Sequence, residues 1–464
     1  MIKTLKNILT GNLSFRSLKY SCLVGFMVFL WLPQSGFSQQ FPEFAKTDSI
    51  TFALYEKQQW DELIEVGEAA IKKGFDFYYL RMRLGIARYE QHNYRHAAPH
   101  FEKALVFYPG DQLATEYLYY SFLFAGRKSD SRLIIPLLHE ATKAKMGIKK
   151  SLFLEELYFE GGPAFSNISN LEENWKNPSA ADTIYSSTTY FNGYNYFHGG
   201  IRLDILPYLS IYQGYGQLNA TAQQNIRDFN MEYEPFERVA RQDEYYGNFE
   251  LSLKKGIKIT GAAHFLWVEY DRRDASYDEI GTLTFDTVAN SEDDYVLSLS
   301  VLKEFTFGSL NISGTYGRLD KDTINQLGAS FVYYPFGNIN FYGATGMINF
   351  WDAEGYRPIF IQEIGGKIYK NLWFEGNATI GQLQNYAEKN AFVIFNAPEE
   401  INNKYEAVLI YAAPKHLEIS LRYRYLVRES GTIIYTSFDK DEEPEITKSQ
   451  YPFHSIIGGI KWKF

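Results

Sequence analysis

Two periods of apolar and polar residues divide this chain. From Ser151 to Phe464 the side chains alternate every second position, and over residues 41–148 they recur at helical spacing. The alternation is cleanest at Leu417–Tyr425. There Leu417, Ile419, Leu421, Tyr423 and Tyr425 fall on one side of an extended chain, and Glu418, Ser420, Arg422 and Arg424 on the other. Phe249, Leu251 and Leu253 alternate with Glu250, Ser252 and Lys254 in the same way, and Phe197, Ile201, Leu203 and Ile205 alternate with His198, Arg202 and Asp204. The pattern predicts fourteen strands, near 152–163, 190–205, 208–222, 242–254, 257–270, 293–305, 309–319, 324–334, 338–350, 357–369, 371–385, 403–413, 415–428 and 450–464.

The predicted connections also alternate. Tight turns fall at Leu206-Pro207, Lys255-Gly256, Phe307-Gly308, Pro335-Phe336-Gly337, Lys370-Asn371 and Pro414-Lys415. Between them lie mostly longer connections, near 164–189, 223–241, 271–292, 386–402 and 429–449, with short ones near 320–323 and 351–356. Short turns at one end and long ones at the other are the habit of transmembrane barrels, whereas a soluble sandwich has no reason for that parity. An even strand count returns the chain to the side on which it began. The last stretch, QYPFHSIIGGIKWKF, puts Ile460, Trp462 and Phe464 on one face and Lys461 and Lys463 on the other. It resembles the closing strand of outer-membrane β-barrel proteins. That resemblance implies pairing of the last strand with the first, and a terminal Phe read by the barrel-assembly machinery.

In the helical region the clearest unit is LGIARYEQHNYRHAAPHFEKALVFYPGD. Its Leu84, Gly85, Ala87, Tyr94, Ala97, Phe101, Ala104 and Pro109 resemble a tetratricopeptide repeat (TPR), with small residues at close helix crossings, an aromatic at the turn and Pro after the second helix. Thirty-four residues earlier, Trp60 takes the place of Tyr94 and Gly67 departs from Phe101; thirty-four later, the match degenerates. Three helix pairs are predicted, near 45–75, 78–109 and 112–146. The resemblance implies a groove that docks a partner protein; a spacer is the plainer role.

Composition supports lipid outside and water inside. Aromatics make up 17% of the residues, with 37 Tyr and 36 Phe, yet mean hydropathy is −0.29, which excludes a helical membrane protein. Met1 to Ser38 reads as a signal peptide: Lys3, Lys6, Arg16 and Lys19, then the apolar run from Cys22 to Leu32, then small residues at Gly36 and Ser38. Cys22 is the single cysteine and precedes the end of the apolar run, so the mature chain is expected to hold no disulfide. Removing those four cations takes the net charge from −9 to −13, which argues against nucleic acid as a partner.

The expected architecture is therefore multidomain α and β: residues 1–38 a signal peptide, 45–148 a periplasmic TPR-like α-helical solenoid, and 150–464 an antiparallel up-and-down transmembrane β-barrel of about 14 strands in the outer membrane of a Gram-negative bacterium. The order of domains resembles the repeat-plus-barrel exporters of extracellular polysaccharides. Arg202, Asp204, Glu250, Lys254, Glu375, Glu418, Arg422 and Arg424 are the candidate lumen residues, and Trp267, Trp373 and Trp462 the candidate girdle. Glu292-Asp293-Asp294 and Asp439 to Glu445 read as acidic outer loops. His92, His96 and His100 are spaced like a metal cluster but lack a placed carboxylate, so no metal or other cofactor is assigned. No nucleophile elbow, P-loop or dinucleotide fingerprint occurs, and Gly214-Tyr215-Gly216 lacks a third glycine. The leading functional expectation is a transport or secretion component whose periplasmic repeats dock a partner protein while lipid surrounds the barrel. The alternatives are a non-conducting anchor or scaffold for a complex, and a lipid- or glycan-acting enzyme using His198, His264 or His454; no catalytic residue is assigned.

Overall fold

The computed structural model describes residues 37–148, 153–167, 184–228, 235–278, 283–353, 355–396, 399–414, 416–436 and 443–464. Residues 1–36, which make up most of the expected signal peptide of residues 1–38 and include Cys22, and most of the stretch Asp439–Glu445 lie outside the described residues.

Among the described residues seven helices come first: α1 (Phe37–Glu56), α2 (Trp60–Lys72), α3 (Tyr78–Glu90), α4 (Tyr94–Phe107), α5 (Gln112–Phe124), α6 (Lys128–Ile134) and α7 (Glu140–Lys145), with one 3₁₀ turn at Ile135–Leu137. Their boundaries follow local chemistry. Asp111 caps α5 by accepting from the Leu113 and Ala114 amides at 3.1 and 3.3 Å. Gly74 and Gly126 follow α2 and α5 at positive φ, the conformation that ends a helix with least strain. The helices pack through small residues. A Cβ at Gly85 would lie 2.7 Å from the Phe101 ring, so glycine sets how closely α3 and α4 approach. None of the described helices is long and apolar enough to cross a membrane.

The strands form one closed antiparallel barrel of fourteen, as the alternation predicts. Its staves are β1 (Leu154–Ser166), β2 (Tyr185–Leu206), β3 (Leu209–Asp228), β4 (Phe236–Leu253), β5 (Ile257–Tyr277), β6 (Leu283–Glu304), β7 (Gly308–Leu319), β8 (Asp322–Tyr333), β9 (Phe341–Asp352), β10 (Gly355–Tyr369), β11 (Leu372–Ile380), β14 (Glu400–Ala412), β15 (Leu417–Tyr435) and β16 (Glu445–Lys463). β16 closes against β1, with Ile460 opposite Phe159 and Trp462 opposite Leu157, and the Phe464 amide reaches the Glu155 carbonyl at 3.0 Å. Closure satisfies the backbone groups that an open edge would leave bare in lipid.

The outer wall is apolar: Phe159, Leu299, Ile312, Leu327, Phe360, Leu421 and Ile460 are all more than half exposed. Trp267, Trp462 and Phe464 face outwards with them, whereas Trp373 shares its strand face with the inward Glu375. A continuous apolar skin of this kind suits hydrocarbon. Several strands outrun their predicted lengths at the long-loop end. Glu292, Asp293 and Asp294, expected in a loop, lie within β6, and Asp294 is buried, accepting from Asn396. Above the apolar band the outer face no longer needs apolar residues, so the sequence period fades although the pairing continues. At that rim β15 adds a second partner: Thr432 pairs with Thr188 of β2 while keeping Thr447 of β16.

Candidate functional site

The lumen is occupied by the chain's own loop. The spacing predicts a strand over 371–385 and an outer connection over 386–402; instead β11 ends at Ile380, and the chain that follows it enters the barrel and forms a small hairpin, β12 (Tyr386–Glu388) and β13 (Val393–Phe395). Its side chains complete a core that the inner wall begins: Leu383, Tyr386, Ala387, Ala391 and Phe395 pack with Leu266, Val296, Ile324, Phe350 and Ile359. Apolar residues on the inside of a water-filled pore would be costly; covered by a hairpin they become stabilising.

Polar groups fix its position. Gln326 of β8 bonds both backbone groups of Ala387, donating at 2.9 Å and accepting at 3.1 Å. His264 of β5 lies 2.7 Å from the Ala391 carbonyl, and the Tyr246 hydroxyl donates to the Asn390 carbonyl. Phe392 sits with its ring edge-on to His198, Tyr212 and Tyr246, at centroid distances of 5.1, 6.2 and 5.0 Å. Gly214 and Gly216 are what make room here: a Cβ at either would lie 2.5 Å from the His198 ring or the Glu244 carboxylate. The turn is strained. Lys389, Asn390 and Ala391 all have φ between 55° and 62°, left-handed values that disfavour non-glycine residues by roughly 1–2 kcal/mol each.

Charges hold the hairpin to β14 and β15. Lys404, fully buried, meets both oxygens of Glu388 at 2.6 and 2.7 Å. Glu406 is shared by Arg424 at 3.0 Å, Lys389 at 3.5 Å and Arg422 at 3.7 Å, and Arg422 also meets Glu160 at 3.0 Å.

The candidate lumen residues separate by height. Arg422 and Arg424 join the hairpin network. Arg202 lies over the Tyr212 ring, and Glu375 accepts from Tyr342. Glu418, at the tight-turn end, pairs with Lys461 and Lys463. Lys254 is displaced: β4 ends at Leu253, and Lys254 is an exposed turn residue. Asp204 and Glu250 turn out to contact the helices. Arg132 of α6 pairs with Asp204, with Glu155 at 3.2 Å and with Glu250 at 3.7 Å, and Ser129 donates to Glu250 at 2.7 Å. Helix α6 therefore lies over the barrel mouth.

A second anchor went unread in the sequence. Arg95 of α4 is 1% exposed. It donates to Glu304 at 2.5 Å and to the carbonyls of Phe305, Thr306 and Gly308 in the β6–β7 turn, and its guanidinium lies 4.1 Å over the Tyr334 ring. Nearby, Asn338 donates to the His92 carbonyl.

The lumen space left by these elements is divided. A cavity of about 470 Å³ lies on the long-loop side of the hairpin, where Asn396 and Glu399 line it, and one of about 540 Å³ lies on the other side, where Lys389, Asn390 and Phe392 do.

The repeat-like residues meet at helix contacts. Leu84, Gly85 and Ala87 are buried on α3, and Ala97, Phe101 and Ala104 on α4. Trp60 opens α2 beside Tyr55, Tyr94 opens α4 beside Tyr89 and Phe124, and Pro109 follows α4. The three histidines do not converge. His92 meets the Tyr94 hydroxyl, His96 meets Asn93 and His100 meets Arg81, and no metal-ligand cluster exists among the described residues. Burial, reinforced by the Arg81 cation, pushes His100 down to about 4. Between pH 6.5 and 4 the unfolded chain takes up a proton there that the folded one refuses, so stability present above pH 6.5 is lost as pH falls. A loss of roughly 2–3 kcal/mol by pH 4 is expected, and His100→Gln removes it. Denaturant titration of the full chain, followed by helical circular dichroism, checks this; equal pH slopes for the two proteins count against it.

No protein-family model matches the chain, and a search of curated proteins finds no match. Among solved structures it is similar to the toluene transporter TodX of P. putida (8% identity, TM-score 0.43) and to a FadL homologue of Pseudomonas aeruginosa (6%, 0.42), each over 67% of this chain and 90% of the other. It is also similar to the Acinetobacter baumannii outer membrane protein Omp33 (8%, 0.30), over 67% of this chain and 99% of the other. These similarities are of barrel architecture only.

Proposed function

We propose that the chain is an outer-membrane transport or secretion barrel held shut by its own loop hairpin, with the helices forming a TPR-type platform at the periplasmic mouth. The observation that carries this reading is the hairpin itself. It fills the lumen, yet it is held by side-chain contacts from the wall rather than by joining the sheet, and its turn is strained. An element so held opens without unzipping the barrel. The apolar outer wall supports a membrane location, and the tight turns on the helical side support placing that side in the periplasm. On the helices, exposed Tyr79, Val106, Tyr108 and Leu137 offer an apolar surface to a periplasmic protein.

Planar-bilayer recording tests the barrel. The intact chain should conduct rarely and briefly, and a variant with residues 386–395 replaced by a short Gly-Ser linker should show sustained openings. A correctly folded deletion variant that stays silent overturns the transport reading. It would favour the second one, a non-conducting anchor, for which the double attachment of the helices through Arg95 and Arg132 is the supporting observation. The enzymatic alternative finds little support: the described hydrogen-bond partners of His198 and His454 are tyrosines, that of His264 is a backbone carbonyl, and the Glu244 carboxylate stands 3.5 Å from His264 Nε2 without a hydrogen bond.

A further inference from the structure

The cavity between the hairpin tip and the inner wall near Arg202 has about 540 Å³, an ordinary volume for a small-ligand site. Its wall carries an excess of cations: Arg202, Lys258, Lys389 and Lys461 against Glu156 and Glu250. Three of the four are matched. Lys258 meets Glu250 at 3.3 Å, Lys389 meets Glu406 at 3.5 Å and Lys461 meets Glu418 at 3.2 Å. Arg202 is different. Glu156 stands opposite it in the β1–β2 register and Glu250 is near enough to feel its charge, yet neither carboxylate lies within ion-pair distance of the guanidinium. The guanidinium instead lies 5.6 Å over the Tyr212 ring. Other lumen arginines, Arg422, Arg424 and Arg428, each have a carboxylate within ion-pair distance. A guanidinium stacked on a ring keeps its planar fork of donors for an anion, and the fork matches a carboxylate.

The remaining wall specifies the rest of a ligand. Tyr158, Tyr212, Tyr246 and Phe392 present rings, and between them Asn248, Thr260, Ser300 and Asn311 present amides and hydroxyls. An apolar solute would leave these polar groups and the Arg202 guanidinium without partners. A bare inorganic anion would make no use of the rings. We propose that this cavity binds an acidic sugar, a hydroxylated ring bearing a carboxylate, with Arg202 holding the carboxylate and the aromatic rings taking the C–H face. Because Phe392 belongs to the hairpin, the occupant touches the element that closes the lumen. The site is defined in the closed arrangement and does not rest on conduction.

D-glucuronate and D-glucose differ only in the oxidation of one carbon, so they isolate the carboxylate. Isothermal titration of the purified full chain in detergent should show glucuronate binding at least tenfold more tightly than glucose. Arg202→Gln should bring glucuronate down to the level of glucose, Arg202→Lys should fall between, and Arg241→Gln, on the exposed outer wall, should change nothing. Heat-modifiable gel mobility confirms a closed barrel in each variant. Equal binding of the two sugars, no binding of glucuronate, or a folded Arg202→Gln that keeps the preference each overturns the proposal. Should Arg202→Gln fail to fold, the wild-type comparison and Arg202→Lys still decide.

Discussion

Arg95→Ala releases the helical cap from the barrel. The wild-type guanidinium is buried between two parts of the fold, serving the Glu304 carboxylate and backbone carbonyls on both sides, Ala125 among them. Truncation leaves that carboxylate largely buried without its cation, and the carbonyls without their donor. Breaking a buried pair from one side costs about 3–5 kcal/mol, a factor of roughly 10² to 10⁴ in the docking equilibrium. Hydrogen exchange at Arg95, whose amide donates to the Gly337 carbonyl at 2.9 Å, should accelerate accordingly, together with the turn amides near Gly308. Arg95→Lys should recover only part, because an ammonium reaches Glu304 but cannot serve the carbonyls as a planar fork does. Unchanged exchange at this contact in Arg95→Ala would show that the cap is held elsewhere, with Arg132 the first alternative.

Lys404→Met should unseat the hairpin while leaving the barrel closed. Lys404 and Glu388 bury their charges against each other, with side chains 0% and 7% exposed. Removing the cation alone strands Glu388 and destabilises the seated hairpin by about 3–5 kcal/mol, whereas the double variant Lys404→Met, Glu388→Leu should lie near the wild type. The readout is proteolysis within residues 386–395, alongside heat-modifiable mobility to show an intact barrel. The single variant should be cut much faster and the double variant should not. Similar rates in all three would place the closing energy in the apolar core and the Gln326 contacts instead.

The barrel was readable because a stave between lipid and water has little freedom. Leu417–Tyr425 alternates without exception, and its strand begins at Leu417, just past the predicted tight turn, although it runs on to Tyr435, beyond its predicted end at 428. Legibility ends where one solvent gives way. Beyond the apolar band β5 and β6 continue as a hairpin with charge on both faces, and Glu292–Asp294 looked like loop. The lumen hairpin was hidden by its position, because residues 386–402 occupy a slot where a long outer connection belongs; Val393-Ile394-Phe395 was the only local sign that this loop seeks a core. Lys254 was misplaced by a single residue of strand length. Arg95 had no local sign at all, because its partners in the barrel lie 209 to 213 residues further along. A guanidinium in a helix reads as solvated until the turn it serves is known.

The closing pair of staves also sets an order of events in time. β1 meets β16 across nearly the whole barrel sequence, with Glu156 opposite Lys463. Contacts that distant form late, whereas α3 and α4 pair across a three-residue turn and need no membrane. The helices are thus positioned to fold first. The β6–β7 turn, with its carbonyls directed at Arg95, then meets a surface already formed, and ring closure becomes the last and slowest step. Contact order therefore predicts closure from the capped end outwards, and mutations in the cap contact should slow closure of the barrel, followed by heat-modifiable gel mobility, as well as weaken docking.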